Sequence, residues 1–205
     1  MWTRIFFVCL VAGFLWAGLG NTVDAKASEN ERFQEAMDDL RARNFTGALE
    51  VFESLSGAGH GGAAFMLGVM SEHGLGVTPD EARAAAWYLK AAQRGSASAQ
   101  YNLAVFYQLG RGVERSDSEA LKWHRAAAAQ GHRKSQNNLG TLYFAGAGVT
   151  RDLVEAWKWL TLATKGLKGD DLDAALRNRD QLKAEMSAAQ IKDAESRVAS
   201  WRPGV

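Results

Sequence analysis

Two prolines and a single cysteine are all that the 205 residues contain, and the charges nearly cancel, with 24 Lys+Arg against 23 Asp+Glu. So few prolines leave helices uninterrupted, and no stretch alternates apolar and polar side chains over a strand's length. The expectation is an all-α chain with almost no sheet. A net charge of +1 gives no field that would concentrate a polyanion, and no basic stripe is interleaved with aromatics, so nucleic acid is not an expected partner. The lone Cys9 lies in an apolar run, leaving the rest of the chain without disulfides or thiol chemistry. Stability has to come from packing, for which 47% hydrophobic residues suffice.

The first 25 residues differ in kind. Met1 to Arg4 carries one basic residue, Ile5 to Gly20 is apolar throughout, and the chain turns polar from Asn21. This pattern reads as an export signal cleaved before Lys26 after Val23-Asp24-Ala25, or two residues later after Ala25-Lys26-Ala27. The alternative is an uncleaved anchor, the one route by which a membrane contact is expected. Phe6-Phe7-Val8 before Cys9 does not suit a lipoprotein. Export without disulfides points to a periplasmic or secreted bacterial protein.

Self-similarity is the strongest signal in the chain. Leu67, Leu103 and Leu139 are 36 residues apart, and the same interval relates Gly74/Gly76/Val77 to Gly110/Gly112/Val113 and Gly146/Gly148/Val149. Ala84, Ala120 and Ala156 keep that register, as do Trp87, Trp123 and Trp159. Each unit reads as helix-turn-helix. First helices are expected near 63–73, 99–109 and 135–145, with Ala63, Leu67 and Ser71 on a buried face and small Gly68, Ala104 and Gly140 beside it to admit the second helix. Paired glycines end the first helix. Capping spacings open the second at Ser116-x-x-Glu119, Asp152-x-x-Glu155 and Thr78-Pro79-Asp80-Glu81. The tryptophans are expected in the core rather than as a stacking ladder.

The pattern from Ala99-Gln100-Tyr101-Asn102-Leu103-Ala104 through Gly131 closely resembles the Sel-1-like repeat, a relative of the tetratricopeptide repeat, and the resemblance spans about 63–166. Departures are Ser71 for the usual tyrosine, Ser135 for the leading alanine, and a terminal glycine one residue early at Gly166. The resemblance implies a right-handed α-solenoid of stacked units and a protein that binds other proteins. The expected layout is a signal peptide over 1–25, a degenerate N-terminal repeat or cap over 29–62, repeats over 63–98, 99–134 and 135–169, and C-terminal capping helices over 170–205. The tail breaks period; Leu172, Leu176, Leu182 and Met186 mark one helix and Ile191, Ala194, Val198 and Trp201 another, opened by Ser187-x-x-Gln190.

Chemistry is sparse. Gly57 to Gly62 spells G-x-G-x-x-G but lacks the strand that a dinucleotide site needs, so it reads as a turn between repeats. His60, His73, His124 and His132 show no metal-ligand spacing. No G-x-S-x-G occurs, and Asn44-Phe45-Thr46 is a sequon without meaning in a bacterial chain. No cofactor, metal or catalytic residue is expected. A non-enzymatic adaptor, scaffold or regulator is the favoured reading. An envelope hydrolase is the alternative, because a cysteine-rich branch of the resembled family is linked to cell-wall or β-lactam hydrolysis; a structural subunit of an envelope machine is a third possibility. The partner-binding surface is expected on the concave wall of first helices, where Phe65, Val69 and Glu72 fall within about 40° of the pole opposite Leu67. Their counterparts are Tyr101, Val105 and Gln108, then Asn137, Thr141 and Phe144, with Asn102 and Asn138 to one side. Phe65 and Phe144 are equally suited to packing against neighbouring repeats.

Overall fold

A computed structural model describes residues 28–204. The expected leader over 1–25, Cys9 included, lies outside the described residues. Ten helices and no strand are found among the described residues: α1 over 28–41, α2 Phe45–Gly57, α3 Gly61–His73, α4 Glu81–Gln93, α5 Ala97–Leu109, α6 Asp117–Ala129, α7 Arg133–Ala145, α8 Leu153–Thr164, α9 Gly169–Lys183 and α10 Ala188–Ser200. None is long and apolar enough to cross a membrane among the described residues. The all-α solenoid expected from the periodicity is what forms. Helices α3/α4, α5/α6 and α7/α8 pair most extensively, and each second helix then packs on the first helix of the next pair.

Caps set the helix starts. Asp80, Ser116 and Asp152 accept the backbone N–H of Arg83, Glu119 and Glu155, in step at 36 residues. The cap of α4 is therefore Asp80 and not Thr78, because only Asp80 stands one residue before the first helical position. First helices open two residues earlier than their apolar pattern shows, on caps that the pattern does not contain: His60, Ser96 and His132 accept from the N–H of Ala63, Ala99 and Ser135. Gly61 and Gly62 of the glycine-rich stretch are already the first turn of α3.

Backbone bonds lock each turn regardless of side chain. The N–H groups of Asp80, Ser116 and Asp152 donate to the carbonyls of Ser71, Tyr107 and Tyr143 at 2.8, 3.0 and 3.1 Å. Serine in place of tyrosine at 71 thus leaves the turn intact. The second glycine of each turn joins consecutive repeats. Gly112 has φ 62° and lies against the backbone of Glu81–Ala82 at the start of α4, while Gly148, with φ 70°, meets Asp117–Ser118 at the start of α6. Gly76 makes the matching contact with Phe45. The N-terminal unit is therefore stacked as the other repeats are, with α2 opening 36 residues before α4.

The tail keeps the spacing but not the packing. Helix α9 begins 36 residues after α7, yet α10 packs on α8 rather than pairing with α9. Ser187 and Gln190 close a full capping box on α10. Trp201 meets Trp159 edge-on at 6.3 Å, Arg197 bonds Glu155 at 2.8 Å, and the Gly204 N–H donates to the Ala129 carbonyl at 2.9 Å. Burial would raise the Glu155 pKa, but hydrogen bonds from Arg197 and Lys158 prevail and hold it below its ordinary value.

Gly112→Ala and Gly148→Ala should each cost about 3 kcal/mol or more, since a Cβ would strain a left-handed backbone and overlap the preceding repeat. Gly57→Ala, in open space at the end of α2, should gain about 0.5–1 kcal/mol. Chemical denaturation of the three variants checks this; equal midpoints would show that the turns do not join the repeats.

Candidate functional site

The residue after each tryptophan decides what the first-helix face displays. Tyr88, His124 and Leu160 have no exposed surface and press into the preceding first helix beside Gly68, Ala104 and Gly140. A Cβ on Gly68 would lie 2.6 Å from the Tyr88 ring, and one on Gly140 2.7 Å from Leu160. A buried polar side chain has to find partners, and these come from the position sixteen residues earlier. The Tyr88 hydroxyl donates to Glu72 at 2.6 Å, and His124 Nε2 lies 3.0 Å from Gln108 Oε1. Apolar Leu160 instead faces Phe144 within one cluster. Burial and then the Glu72 carboxylate push the Tyr88 pKa up, so the hydroxyl stays a donor.

A second polar contact comes from the next repeat. Asn138 Nδ2 lies 3.4 Å from His124 Nε2, and Asn102, its counterpart one repeat earlier, acts to lower the Tyr88 pKa against the larger effects of burial and Glu72. Ser135 Oγ stands 3.4 Å from His124 Nδ1 and 3.1 Å from His132 Nδ1. The serine that departs from the repeat pattern thus links two imidazoles. Tyr101 leans on both, with centroids 5.9 Å from His124 and 4.9 Å from His132. Burial first, and His132 second, push the His124 pKa down to about 4; burial, then Lys134, lowers that of His132.

The expected surface residues divide into two groups. Phe65 and Val69 are half-buried against the core of the first two repeats, and Phe65 packs 5.8 Å from Tyr88. Glu72 is not a free carboxylate: its side chain is 14% exposed and is held by Tyr88 and by Arg111 at 2.9 Å. The helical wheel places it on the outer face correctly but cannot show the arginine that covers it. Phe144 lies under Arg151 at 5.0 Å, and the Thr141 hydroxyl is spent on the Asn138 carbonyl at 2.7 Å.

Tyr101, Val105, Gln108 and Asn138, by contrast, come together around an open groove of about 500 Å³ between α5 and α7. Leu109, Leu142, Ala147, Arg115 and Asp117 complete it. Leu109 is 65% exposed and is the one exposed large hydrophobic among the described residues. Asn137 lines a smaller, polar niche of about 70 Å³ that shares Tyr101 and Asn138 with the groove; its Oδ1 is buried and has no partner. Leu109 was within reach of sequence reasoning, because His73 and Ala145 occupy its position in the other repeats. Among the described residues no cluster of His, Cys, Asp and Glu could hold a metal ion.

Three consecutive matches to the Sel1 repeat model cover residues 62–96, 97–132 and 133–166, half of the chain. The chain belongs to the Sel1 repeat family. Such repeats generally mediate protein–protein interaction and are typically non-catalytic scaffolds. A Sel1 repeat protein from Oxalobacter formigenes has a similar crystal structure, with TM-score 0.64 and 30% identity over 72% of this chain and 57% of that one. The c5321 protective antigen of uropathogenic Escherichia coli, which displays an SLR fold, is 24% identical over 84% of this chain and 45% of its own, with TM-score 0.49. This chain therefore spans little more than half the length of the first and less than half that of the second. No curated protein matches it.

Acid should weaken the fold through His124. An imidazole whose pKa is lowered on folding binds fewer protons than in the unfolded chain. The stability is therefore complete above the unfolded pKa of 6.5 and is lost as pH falls toward the folded value of about 4. The total for His124 is about 3 kcal/mol, and His132 acts in the same direction. Gln108→Phe with His124→Leu copies the Phe144/Leu160 pair and should flatten the dependence. Urea unfolding between pH 7.5 and 5 compares the two proteins, and equal slopes would refute the assignment.

Proposed function

We propose that the chain is an exported, periplasmic, non-enzymatic adaptor or regulator that holds a partner protein on the face lined by α3, α5 and α7, with the groove between α5 and α7 as the principal contact. The groove carries this reading. Its walls are Tyr101, Val105, Leu109 and Leu142, and its polar groups are Gln108, Asn138, Arg115 and Asp117. Leu109, left open to water beside half-buried Tyr101 and Val105 on a rigid helical wall, suits an extended segment or helix of another protein, with amides at hand for its backbone. The groove lies on a Sel1 repeat array, which supports protein as the partner class. Export rests on the apolar run from Ile5 to Gly20.

The polar cluster beneath the groove does not favour hydrolysis. Ser135 stands near two imidazoles but has no exposed surface, so it cannot reach a substrate carbonyl. A serine–histidine pair there acts as packing.

Tyr101→Ala combined with Val105→Asp should abolish capture of the partner from crosslinked envelope, read by mass spectrometry, while the helical circular-dichroism signal is unchanged. Both side chains are half-buried groove walls, so the fold should survive. Undiminished capture by a folded double variant would remove the groove as the contact.

A further inference from the structure

The three seams between successive repeats are built alike but are filled differently. At each seam one position of the inter-helix turn faces the repeat before it, held by Leu75, Arg111 and Ala147 at a spacing of 36. Leu75 joins Phe45, Met70 and Ala36 in an apolar cluster. Arg111 lays its guanidinium 4.5 Å from the Phe106 ring centre and bonds Glu72 at 2.9 Å and Glu81 at 2.7 Å. At the third seam Ala147 has no side chain that can reach, and the groove of about 500 Å³ lies there.

The match is residue by residue. Shifted by 36, the four groups that define the Arg111 site are Gln108 for Glu72, Asp117 for Glu81, Leu142 for Phe106 and Ala147 for Arg111 itself, and all four line the groove. The groove is thus the Arg111 site without its arginine. It keeps a carboxylate and an amide oxygen as acceptors and an apolar wall for a methylene stem. Asp117 is only loosely engaged within the chain, 3.8 Å from an Arg115 side chain that is 71% exposed. An apolar occupant would offer that carboxylate nothing beyond the loose Arg115 contact, whereas a planar cation with a long stem satisfies carboxylate, amide and wall together.

We infer that the groove receives an arginine side chain of the partner protein, its guanidinium bonded to Asp117 and Gln108 and its stem laid along Leu142, in the place that Arg111 fills one seam earlier. The inference rests on the proposed docking face and names what that face reads. Arginine supplied from outside makes the seam whole, so the partner completes the solenoid locally.

The full chain is titrated with N-acetyl-arginine methylamide, and with the neutral citrulline analogue of the same shape, while the side-chain amide resonances of Gln108 and Asn138 are followed. The arginine probe should shift both resonances saturably, and citrulline should bind about tenfold more weakly or worse. Asp117→Asn, an exposed change that should leave the fold alone, should weaken the arginine probe about tenfold. Ala147→Arg, which refills the site from within, should abolish its binding and leave thermal stability unchanged or raised. Citrulline binding as well as arginine, no effect of Asp117→Asn, or probe binding that survives in folded Ala147→Arg would overturn the inference. Partner capture separates this from the broader reading. If Tyr101→Ala with Val105→Asp abolishes capture but Ala147→Arg does not, the docking face stands and the arginine site falls.

Discussion

The distance between the two helices of a repeat is set by one small residue, Gly68, Ala104 or Gly140, and much of the molecule follows from it. Close approach drives the residue after the tryptophan, Tyr88, His124 or Leu160, out of water altogether. A side chain so placed cannot leave its polar atoms unmet without a penalty of about 1–3 kcal/mol. The partner position sixteen residues earlier answers it with a carboxylate, an amide or a phenyl ring. That partner stands at the rim of the first-helix face. The chemistry shown to another protein is therefore partly dictated from inside, by what the core needs at each repeat.

Period, turn glycines and second-helix caps are legible in the sequence because each is a local rule repeated three times. The burial of Trp123 and Trp159, each 8% exposed, follows from their register, and both indoles find the carboxylate four residues earlier, Glu119 and Glu155. The residue after the tryptophan escapes such reading because it varies from copy to copy. Its importance shows only once the helices touch. First-helix caps escape for another reason: His60 and His132 are not residues that propensity associates with caps, yet a neutral imidazole nitrogen accepts an N–H as a serine oxygen does. The return of α10 onto α8 could not be read from periodicity, because spacing fixes where a helix starts and not which neighbour it chooses.

The site was half legible. A helical wheel finds the outward side of each first helix, so it finds Tyr101, Val105 and Gln108, which line the groove. It finds Glu72 equally well and misjudges it, because a wheel contains one helix while Arg111 arrives from the next turn. The groove is a property of two repeats and a loop. Leu142, Ala147 and Asp117 enter it from elements that the wheel of α5 does not include, and their common meaning appears only when each is set beside its counterpart at the seam before.

Repeat arrays gain stability from contacts between neighbours, so a change at one seam stays local. Such a molecule can leave one seam unfilled without loosening the rest, provided that the units on either side are held by other means. Here they are. Helices α9 and α10 both pack on α8, Arg197 ties α10 to Glu155, and the Gly204 N–H reaches the end of α6. The tail thus braces the second and third repeats along their second helices, while the seam between α5 and α7 stands open on the other side. The bracing and the opening fall on the same pair of repeats. A tail folded forward as a fourth pair would have extended the array and left that pair held only by its own seam, whereas a tail folded back lets a seam with Ala147 in place of an arginine keep its shape while empty.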